Sequence, residues 1–371
     1  MKVPASKPYF FNNDQKFILN GLKKILAGNS FLSMGNYGKS FENKFAKFIG
    51  TKYAVSCNSG TSALELICRS LNIKGKEIIV PSNTFIASVN AILNSGCKPI
   101  FADCGNDMCI DYKSITKKIT KKTAAIMVVH IGGIITKDIF EIKKLCEKKK
   151  IFLIEDAAQA HGSSLNKKKA GSFGIAAGFS FFSTKVMTTG EGGMVTTNNS
   201  EMVKKMKSMR EFGKIKKGIY TNYHTSIGYN WRFGEVNSLM GLMQLKSIKK
   251  FINGRKKIAK IYDAELSNLK SIEIIKPFNV KEHNYFKYII LLKNKKREIV
   301  HKRLEKNSIS PGGYVYEIPL HKQPVFKKYN KLKLSNSEKY CSKHICLPIF
   351  YSMKSTQAKY VVNILKKILS N

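Results

Sequence analysis

Short apolar segments alternate with helical patterns along this chain, and this alternation constrains the fold more than any other feature. The segments Glu77–Pro81 (EIIVP), Ala124–Val129 (AAIMVV) and Ile151–Asp156 (IFLIED) are apolar without the polar alternation of a half-exposed strand. Such runs are typical of strands buried on both faces. Helical patterns at Ile86–Leu93 and Ile139–Lys148 lie between them. This order predicts an α/β fold with a mostly parallel sheet covered by helices.

Two charged residues follow buried strands in this pattern. The strand Ile151–Asp156 ends in two carboxylates, and Lys185 lies 29 residues after Asp156 on a tight loop between the apolar runs Ala176–Phe182 and Met194–Thr197. Binding and active sites of α/β proteins lie at the carboxyl ends of the strands, so we expect Asp156 and Lys185 to face one crevice. The alternative is a surface lysine in a β-hairpin.

A lysine paired with a carboxylate is what an enzyme that uses pyridoxal phosphate (PLP) requires. The lysine forms a Schiff base, and the carboxylate keeps the pyridine nitrogen protonated. The stretches EDAAQAHG, FSFFSTKVMTTGEGG and GYNWRFGE resemble the DegT/StrS-type sugar aminotransferases, a family of fold type I PLP enzymes. The resemblance runs from about residue 8 to the C-terminus, in the family's order. The family usually has Asn after the lysine, where this chain has Val186.

The resemblance implies a set of cofactor contacts. It makes Lys185 the Schiff-base lysine and Asp156 the partner of the pyridine nitrogen. The turn Asn58–Ser62, which leads into a helix, exposes backbone N–H groups at the positive end of the helix dipole and so suits a phosphate. The other cofactor contacts that the resemblance implies are Gly60, Thr61 and Ser180 to the phosphate, Phe85 stacked on the ring, and Gln159 near the ring hydroxyl.

The resemblance also extends the site beyond the cofactor. It implies that Asn230 reaches across a dimer interface to the partner's cofactor phosphate, so that a homodimer would share two sites. The segment 310–321 resembles the family's substrate-facing loop, with Tyr316 and His321 as substrate contacts. His130 ends a predicted strand near the site, and the sequence leaves open whether it is functional or structural.

The composition changes near residue 247, where charge rises and shorter strands and helices follow. We therefore predict a large PLP-binding domain at residues 1–246 and a small α+β domain at 247–371. Two strand-like segments, Ile272–Ile275 and Tyr285–Leu292, and a final helix at Thr356–Leu369 support the second domain.

The formal net charge of +41 raises the alternative of a nucleic-acid-binding protein. The chain has 59 lysines but six arginines, and the lysines are spread over its whole length. Nucleic-acid surfaces depend on arginine for bidentate contacts, so we attribute the charge to compositional bias and expect no specific nucleic-acid partner. No apolar stretch is long enough for a membrane span and the N-terminus lacks a secretory signal, which leads us to expect a cytoplasmic protein without a membrane partner.

The eight cysteines contain no C-x-x-C pair, and we expect neither a metal site nor a disulfide framework. The resemblance implies glutamate as the amino donor and a nucleotide-linked keto sugar as the acceptor, in the biosynthesis of a surface polysaccharide such as the O-antigen of lipopolysaccharide. The loop Thr188–Gly193 is more similar to relatives that aminate C4 of a 4-keto-6-deoxy sugar. Amination at C3, or of a cyclitol ketone, remains the alternative.

Overall fold

The computed structural model of this protein describes residues 1–278 and 280–370. The helices are α1 (Asn12–Leu26), α2 (Asn36–Ile49), α3 (Gly60–Ser70), α4 (Ile86–Asn94), α5 (Tyr112–Lys118), α6 (Ile139–Lys149), α7 (Ser200–Met209), α8 (Glu235–Leu266), α9 (Arg297–Lys306), α10 (Ser335–Lys343) and α11 (Ser355–Ser370). The strands are β1 (Tyr53–Cys57), β2 (Glu77–Pro81), β3 (Lys98–Ala102), β4 (Thr123–Val129), β5 (Phe152–Asp156), β6 (Ser164–Leu165), β7 (Lys168–Lys169), β8 (Ala176–Ser180), β9 (Gly193–Thr197), β10 (Lys214–Lys217), β11 (Tyr220–His224), β12 (Ile272–Ile274), β13 (Tyr288–Leu292) and β14 (His344–Leu347).

A seven-stranded sheet in the order β1-β9-β8-β5-β4-β2-β3 forms the centre of the molecule. The neighbouring pairs from β3 to β8 are parallel, and β9 runs antiparallel to both β8 and β1. The mostly parallel α/β sheet predicted from the sequence is thus confirmed. Apolar side chains fill a core on each face of this sheet, one built around Phe45 and Phe179 and the other around Leu66 and Ile67.

A second, smaller sheet, β12-β13-β14, is antiparallel and packs with α9, α11 and the C-terminal half of α8. Helix α8 runs without a break through the predicted domain boundary at residues 246 and 247. The helix therefore links the region of the large sheet to the region of the small one. The division of the chain into domains at this point stays a prediction.

Several parts of the chain differ from the elements expected from the sequence, among them a hairpin and a shortened strand. Residues 214–225, a basic stretch with tyrosines whose sequence predicts a loop, contain the exposed hairpin β10–β11. The hairpin carries lysine and tyrosine in place of alternating apolar and polar residues, so its pattern did not indicate strands. The expected strand Tyr285–Leu292 begins only at Tyr288, because Tyr285 has a φ of 50°, outside the strand region, and the N–H of Phe286 donates to the Asn284 side chain.

No helix among the described residues is long and apolar enough to cross a membrane. Nor does this part of the chain hold a group of three or more His, Cys, Asp or Glu side chains placed to bind a metal. All eight cysteines are free thiols and are buried. Burial raises the pKa of the thiols, for example that of Cys346 to about 11, so they remain protonated at neutral pH.

A buried ion pair connects α2 with the end of α7. The guanidinium of Arg210 lies 2.6 Å from the Glu42 carboxylate and also donates to the Ser56 carbonyl oxygen of β1 at 2.7 Å. The same carboxylate accepts the Ser56 N–H at 2.9 Å. These contacts hold β1, which leads into the Asn58–Ser62 turn, against α2 and α7.

We expect Arg210→Ala to lower the free energy of unfolding by about 3 to 5 kcal/mol, because it leaves the Glu42 carboxylate buried without its cation. Urea unfolding at neutral pH measures this change. The matched control is Lys204→Ala, which removes the exposed pair with Glu201 on the same helix and should leave the urea midpoint unchanged. Equal effects of the two substitutions would contradict this account of the fold.

Candidate active site

A cavity of about 410 Å³ lies at the carboxyl ends of β5 and β8, where the large sheet meets the segment 314–316. Strands β5 and β8 are parallel neighbours with Asp156 opposite Gly178, so Asp156 and Ser180 reach the same edge of the sheet. Eight of the ten site residues predicted from the sequence line this cavity: Gly60, Thr61, Phe85, Asp156, Gln159, Ser180, Lys185 and Tyr316.

Lys185 lies on the loop between β8 and β9, as predicted, and this loop is held by its own hydrogen bonds. The N–H of Lys185 donates to the Phe182 carbonyl oxygen at 2.9 Å, and the Thr188 hydroxyl donates to that of Phe181 at 2.9 Å. Val186, the departure from the family's usual Asn, is buried in the core. The adjacent Val186 thus anchors the loop by packing, while Lys185 faces the cavity.

Burial lowers the pKa of Lys185 from 10.5 to about 8; the Asp156 carboxylate opposes this shift, and the nearby ammonium of Lys287 adds to it. The Lys185 ammonium lies 5.1 Å from the ring centroid of Phe286, an apolar neighbour that keeps water away. A lysine with this pKa has a substantial neutral fraction near pH 8, which is the form that acts as a nucleophile or a base.

Asp156 is buried, and two donors hold its carboxylate in place. The Ser88 hydroxyl donates to Oδ2 at 2.7 Å, and the Ala158 N–H donates to Oδ1 at 3.1 Å. Burial raises the pKa of Asp156, while these hydrogen bonds and the charge of Lys185 act in the opposite direction. The sequence analysis missed Ser88, because nothing in the pattern of α4 distinguishes it from other buried serines.

The N-terminus of α3 forms one end of the cavity. Ser59 caps the helix by accepting the Ser62 N–H, so Gly60 and Thr61 are its first helical residues, and their N–H groups lack intrahelical acceptors. A Cβ atom on Gly60 would lie 2.7 Å from the Cβ of Ser180. Only glycine allows the turn to approach β8 so closely, and this approach brings the helix N-terminus and the Ser180 hydroxyl together as a cradle for an anion.

The aromatic ring of Phe85 is 60% exposed although it lies in the cavity wall. Its centroid lies 6.5 Å from that of Tyr316, with an angle of 28° between the ring planes. Gln159 donates from Nε2 to the Tyr316 hydroxyl at 2.6 Å and accepts the Gly132 N–H at 2.7 Å. An open aromatic face beside fixed polar groups suits a planar, polar ligand.

Two of the predicted residues and His130 do not line the cavity. His321 is fully buried, with Nδ1 2.6 Å from the Ser82 hydroxyl and Nε2 3.1 Å from Glu338, and its role as a substrate contact stays a prediction. Asn230 is exposed and does not line the cavity of its own chain. His130 is buried and pairs with Glu155 at 2.9 Å, which favours the structural alternative.

These residues fit PLP. The cradle at α3 and Ser180 suits its phosphate, the open face of Phe85 suits its ring, and the buried carboxylate of Asp156 needs a cationic partner such as the protonated ring nitrogen. Lys185 offers an amine of lowered pKa in the same cavity. The cavity lining also includes Lys287, which the sequence analysis missed because one lysine among 59 carries no local signal.

Comparison with known proteins supports the same assignment. The model of the DegT/DnrJ/EryC1/StrS aminotransferase family matches residues 12–366. The chain is 34% identical to GDP-perosamine synthase of Vibrio cholerae over 98% of each chain. It is 32% identical to the UDP-4-amino-4,6-dideoxy-N-acetyl-β-L-altrosamine transaminase of Campylobacter jejuni over 97% of each. Relatives named for transfer to C3 of a sugar match at 32% and 33% identity.

Among solved structures, PseC of Helicobacter pylori, an aminotransferase involved in the biosynthesis of pseudoaminic acid, superposes with a TM-score of 0.93 at 30% identity and covers 100% of both chains. The structure is therefore a fold type I aminotransferase fold, as predicted. Similar structures include forms that hold PLP or its amine form, PMP. The protein belongs to the DegT/DnrJ/EryC1/StrS aminotransferase family and is an aminotransferase that uses PLP.

Proposed function

We propose that this protein transfers the amino group of glutamate to C4 of a nucleotide-linked 4-keto-6-deoxy sugar. The observation that carries the proposal is the meeting of Lys185 and Asp156 in one cavity with the phosphate cradle, in a chain of this family. The reaction would take place in the cytoplasm and supply an amino sugar for a surface polysaccharide such as an O-antigen. Amination at C3, or of a cyclitol ketone, is the second candidate.

The residues of the cavity divide the chemical work between them. Bound PLP supplies an electron sink for the carbon that gains or loses the amine. Gly60, Thr61 and Ser180 would hold its phosphate, and Asp156 would stabilise the positive charge of its ring nitrogen. Lys185, with its pKa lowered to about 8, serves as the base that moves a proton at the reacting carbon.

The choice of C4 is supported by two observations. The Thr188–Gly193 loop resembles that of relatives that act at C4, and the Campylobacter jejuni relative is named for a 4-amino-4,6-dideoxy sugar. The loop is close to the chemistry, because Lys185 precedes it and the Glu191 side chain lines the cavity. The relatives named for C3 keep the second candidate open to experiment.

A homodimer that shares two sites is supported by the exposed residues beside Asn230. Ile219 and Ile227 are 89% and 86% exposed, and both precede Asn230 on the same stretch of chain. Large apolar side chains at this exposure are typical of surfaces that another protein covers. We propose that a second copy of the chain covers them, and that Asn230 contributes to the cofactor site of that copy.

The first prediction tests the reaction. With glutamate and a panel of 4-keto and 3-keto nucleotide sugars, the protein should release 2-oxoglutarate with the 4-keto-6-deoxy sugars. Lys185→Ala should reduce this turnover by many orders of magnitude, because it removes the nucleophile and the base together. Release with the 3-keto sugars alone, or with a cyclitol ketone alone, would favour the second candidate. Retained turnover in Lys185→Ala would refute the proposed function.

A second prediction follows from the pKa of Lys185. Capture of PLP by the PLP-free protein requires the neutral amine of Lys185. Its rate should therefore rise with pH, reach half of its maximum near pH 8 instead of pH 10.5, and level off above that pH. Borohydride trapping followed by mass spectrometry of the Lys185 peptide, between about pH 6.5 and pH 10, measures this profile. An exposed lysine such as Lys204 serves as the internal control. A midpoint that coincides with that of the control would contradict the lowered pKa.

The shared site makes a prediction about mixed subunits. Lys185→Ala and Asn230→Ala proteins should each be inactive. When mixed and allowed to exchange subunits, they should regain about one working site per heterodimer, because one of the two sites then holds both native residues. Activity is measured by 2-oxoglutarate release, and exchange by mass spectrometry of intact dimers. Heterodimers without activity would place Asn230 outside the site.

A further inference from the structure

Lys287 is a second lysine in the cavity, and the chemistry described above leaves it without a role. It immediately precedes β13 and lines the cavity with Lys185. Its ammonium donates to the carbonyl oxygen of Gly312. The salt bridges found in residues 1–278 and 280–370 do not include it. Lys287 is therefore a partly buried cation that has no carboxylate partner among the described residues.

The surroundings of Lys287 favour an incoming anion. Burial lowers the pKa of Lys287, and the charge of Lys287 in turn lowers the pKa of Lys185. Two ammonium groups that share a cavity disfavour each other's charge, and a bound anion stabilises both. The backbone around Lys287 is fixed, because its N–H donates to the Gly132 carbonyl oxygen at 3.3 Å.

The two lysines line the same cavity and share one aromatic neighbour. The ammonium nitrogens lie 5.1 Å and 5.2 Å from the same ring centroid, that of Phe286. The distance between them therefore cannot exceed the sum of these two values. An amino acid whose nitrogen reacts beside Lys185 carries its carboxylates on a short chain, and Lys287 is the other ammonium group in the lining of the same cavity.

The remaining groups that this chain contributes to the cavity offer no further cation for a carboxylate. Asp156 and Glu191 are acids and would repel a carboxylate, while Gly60, Thr61 and Ser180 form the phosphate cradle. The lining residues include no arginine, and Lys185 is used in the reaction. The amino donor carries a carboxylate next to its reacting nitrogen, whereas the charge of a nucleotide-linked keto sugar lies on the diphosphate at C1, across the sugar ring from C4.

We propose that Lys287 binds a carboxylate of the amino donor and is a specificity-determining residue of the donor half of the reaction. This inference rests on the proposed function. The carboxylate is either the one next to the amine or the one on the side chain of glutamate, and the two sources share the same ionic contact with Lys287.

The test separates the two halves of the reaction. Lys287→Met should lower kcat/KM for the conversion of the PLP form to the PMP form by glutamate roughly 10- to 100-fold, since it removes a hydrogen-bonded charge partner. The second half-reaction, in which the PMP form gives its amine to the keto sugar and returns to the PLP form, should change less than about threefold. Both halves are followed by the absorbance of the cofactor. Lys287→Arg should recover part of the loss, and Lys293→Met, at the exposed far end of β13, should change neither half.

A binding measurement complements the kinetics. Glutarate, a dicarboxylate that has no amine, should bind the wild-type protein in calorimetry and bind Lys287→Met with a Kd raised by a similar factor. Alanine as a donor identifies the source of the carboxylate. An equal loss with alanine and glutamate assigns the carboxylate next to the amine, and a loss with glutamate alone assigns the one on the side chain.

Several results would overturn the inference. They are an unchanged glutamate half-reaction in Lys287→Met with an unchanged melting temperature, a loss confined to the keto-sugar half, or a glutarate Kd unaffected by the substitution. If the wild-type protein does not accept glutamate, the proposed function fails first. The glutarate titration then still decides whether Lys287 binds a carboxylate.

Discussion

The alternation of side chains at the end of β5 is the constraint on which the rest of the site depends. Successive residues of a strand point to opposite faces of a sheet, so Glu155 and Asp156 serve different purposes. Glu155 is fully buried and accepts hydrogen bonds from the N–H groups of Gly171, Phe173 and Gly174 at 2.7 to 2.8 Å. These bonds fix the connection that leads into β8, and β8 then delivers Ser180 and the Lys185 loop beside Asp156.

Burial determines the electrostatics of the cavity. It lowers the pKa of Lys185 and Lys287 and raises that of Asp156, because each charged form loses hydration. The hydrogen bonds from Ser88 and Ala158 then favour the carboxylate form of Asp156. Such a cavity suits a ligand that carries both charges. A cationic ring nitrogen would compensate the buried carboxylate of Asp156, and an anionic phosphate would accept hydrogen bonds at the N-terminus of α3.

The sequence predicted the strands and helices of the large sheet well, because the burial of each of these segments is visible in its own pattern of apolar residues. The strand Glu77–Pro81 has the predicted bounds, and the helix predicted to follow the turn Asn58–Ser62 is present but begins within that turn, at Gly60. The hairpin β10–β11 was missed because its side chains are exposed and its pattern is set by charge. Helix α10 and strand β14 were not predicted, and together with α9 and β13 they bring the segment 314–316 to the cavity.

The sequence by itself determined the alternation of strands and helices, and with it the edge of the sheet at which Asp156, Ser180 and Lys185 meet. The reason is that local apolar patterns indicate which segments of the chain are buried strands and in which order strands and helices follow each other along the chain. Only the tertiary structure decided which residues from distant segments complete the site. Ser88, Phe286 and Lys287 join the cavity or hold its acid, while His321 turns away to Ser82 and Glu338. Such contacts depend on the packing of the small sheet and its helices against the large sheet, and no local pattern encodes them.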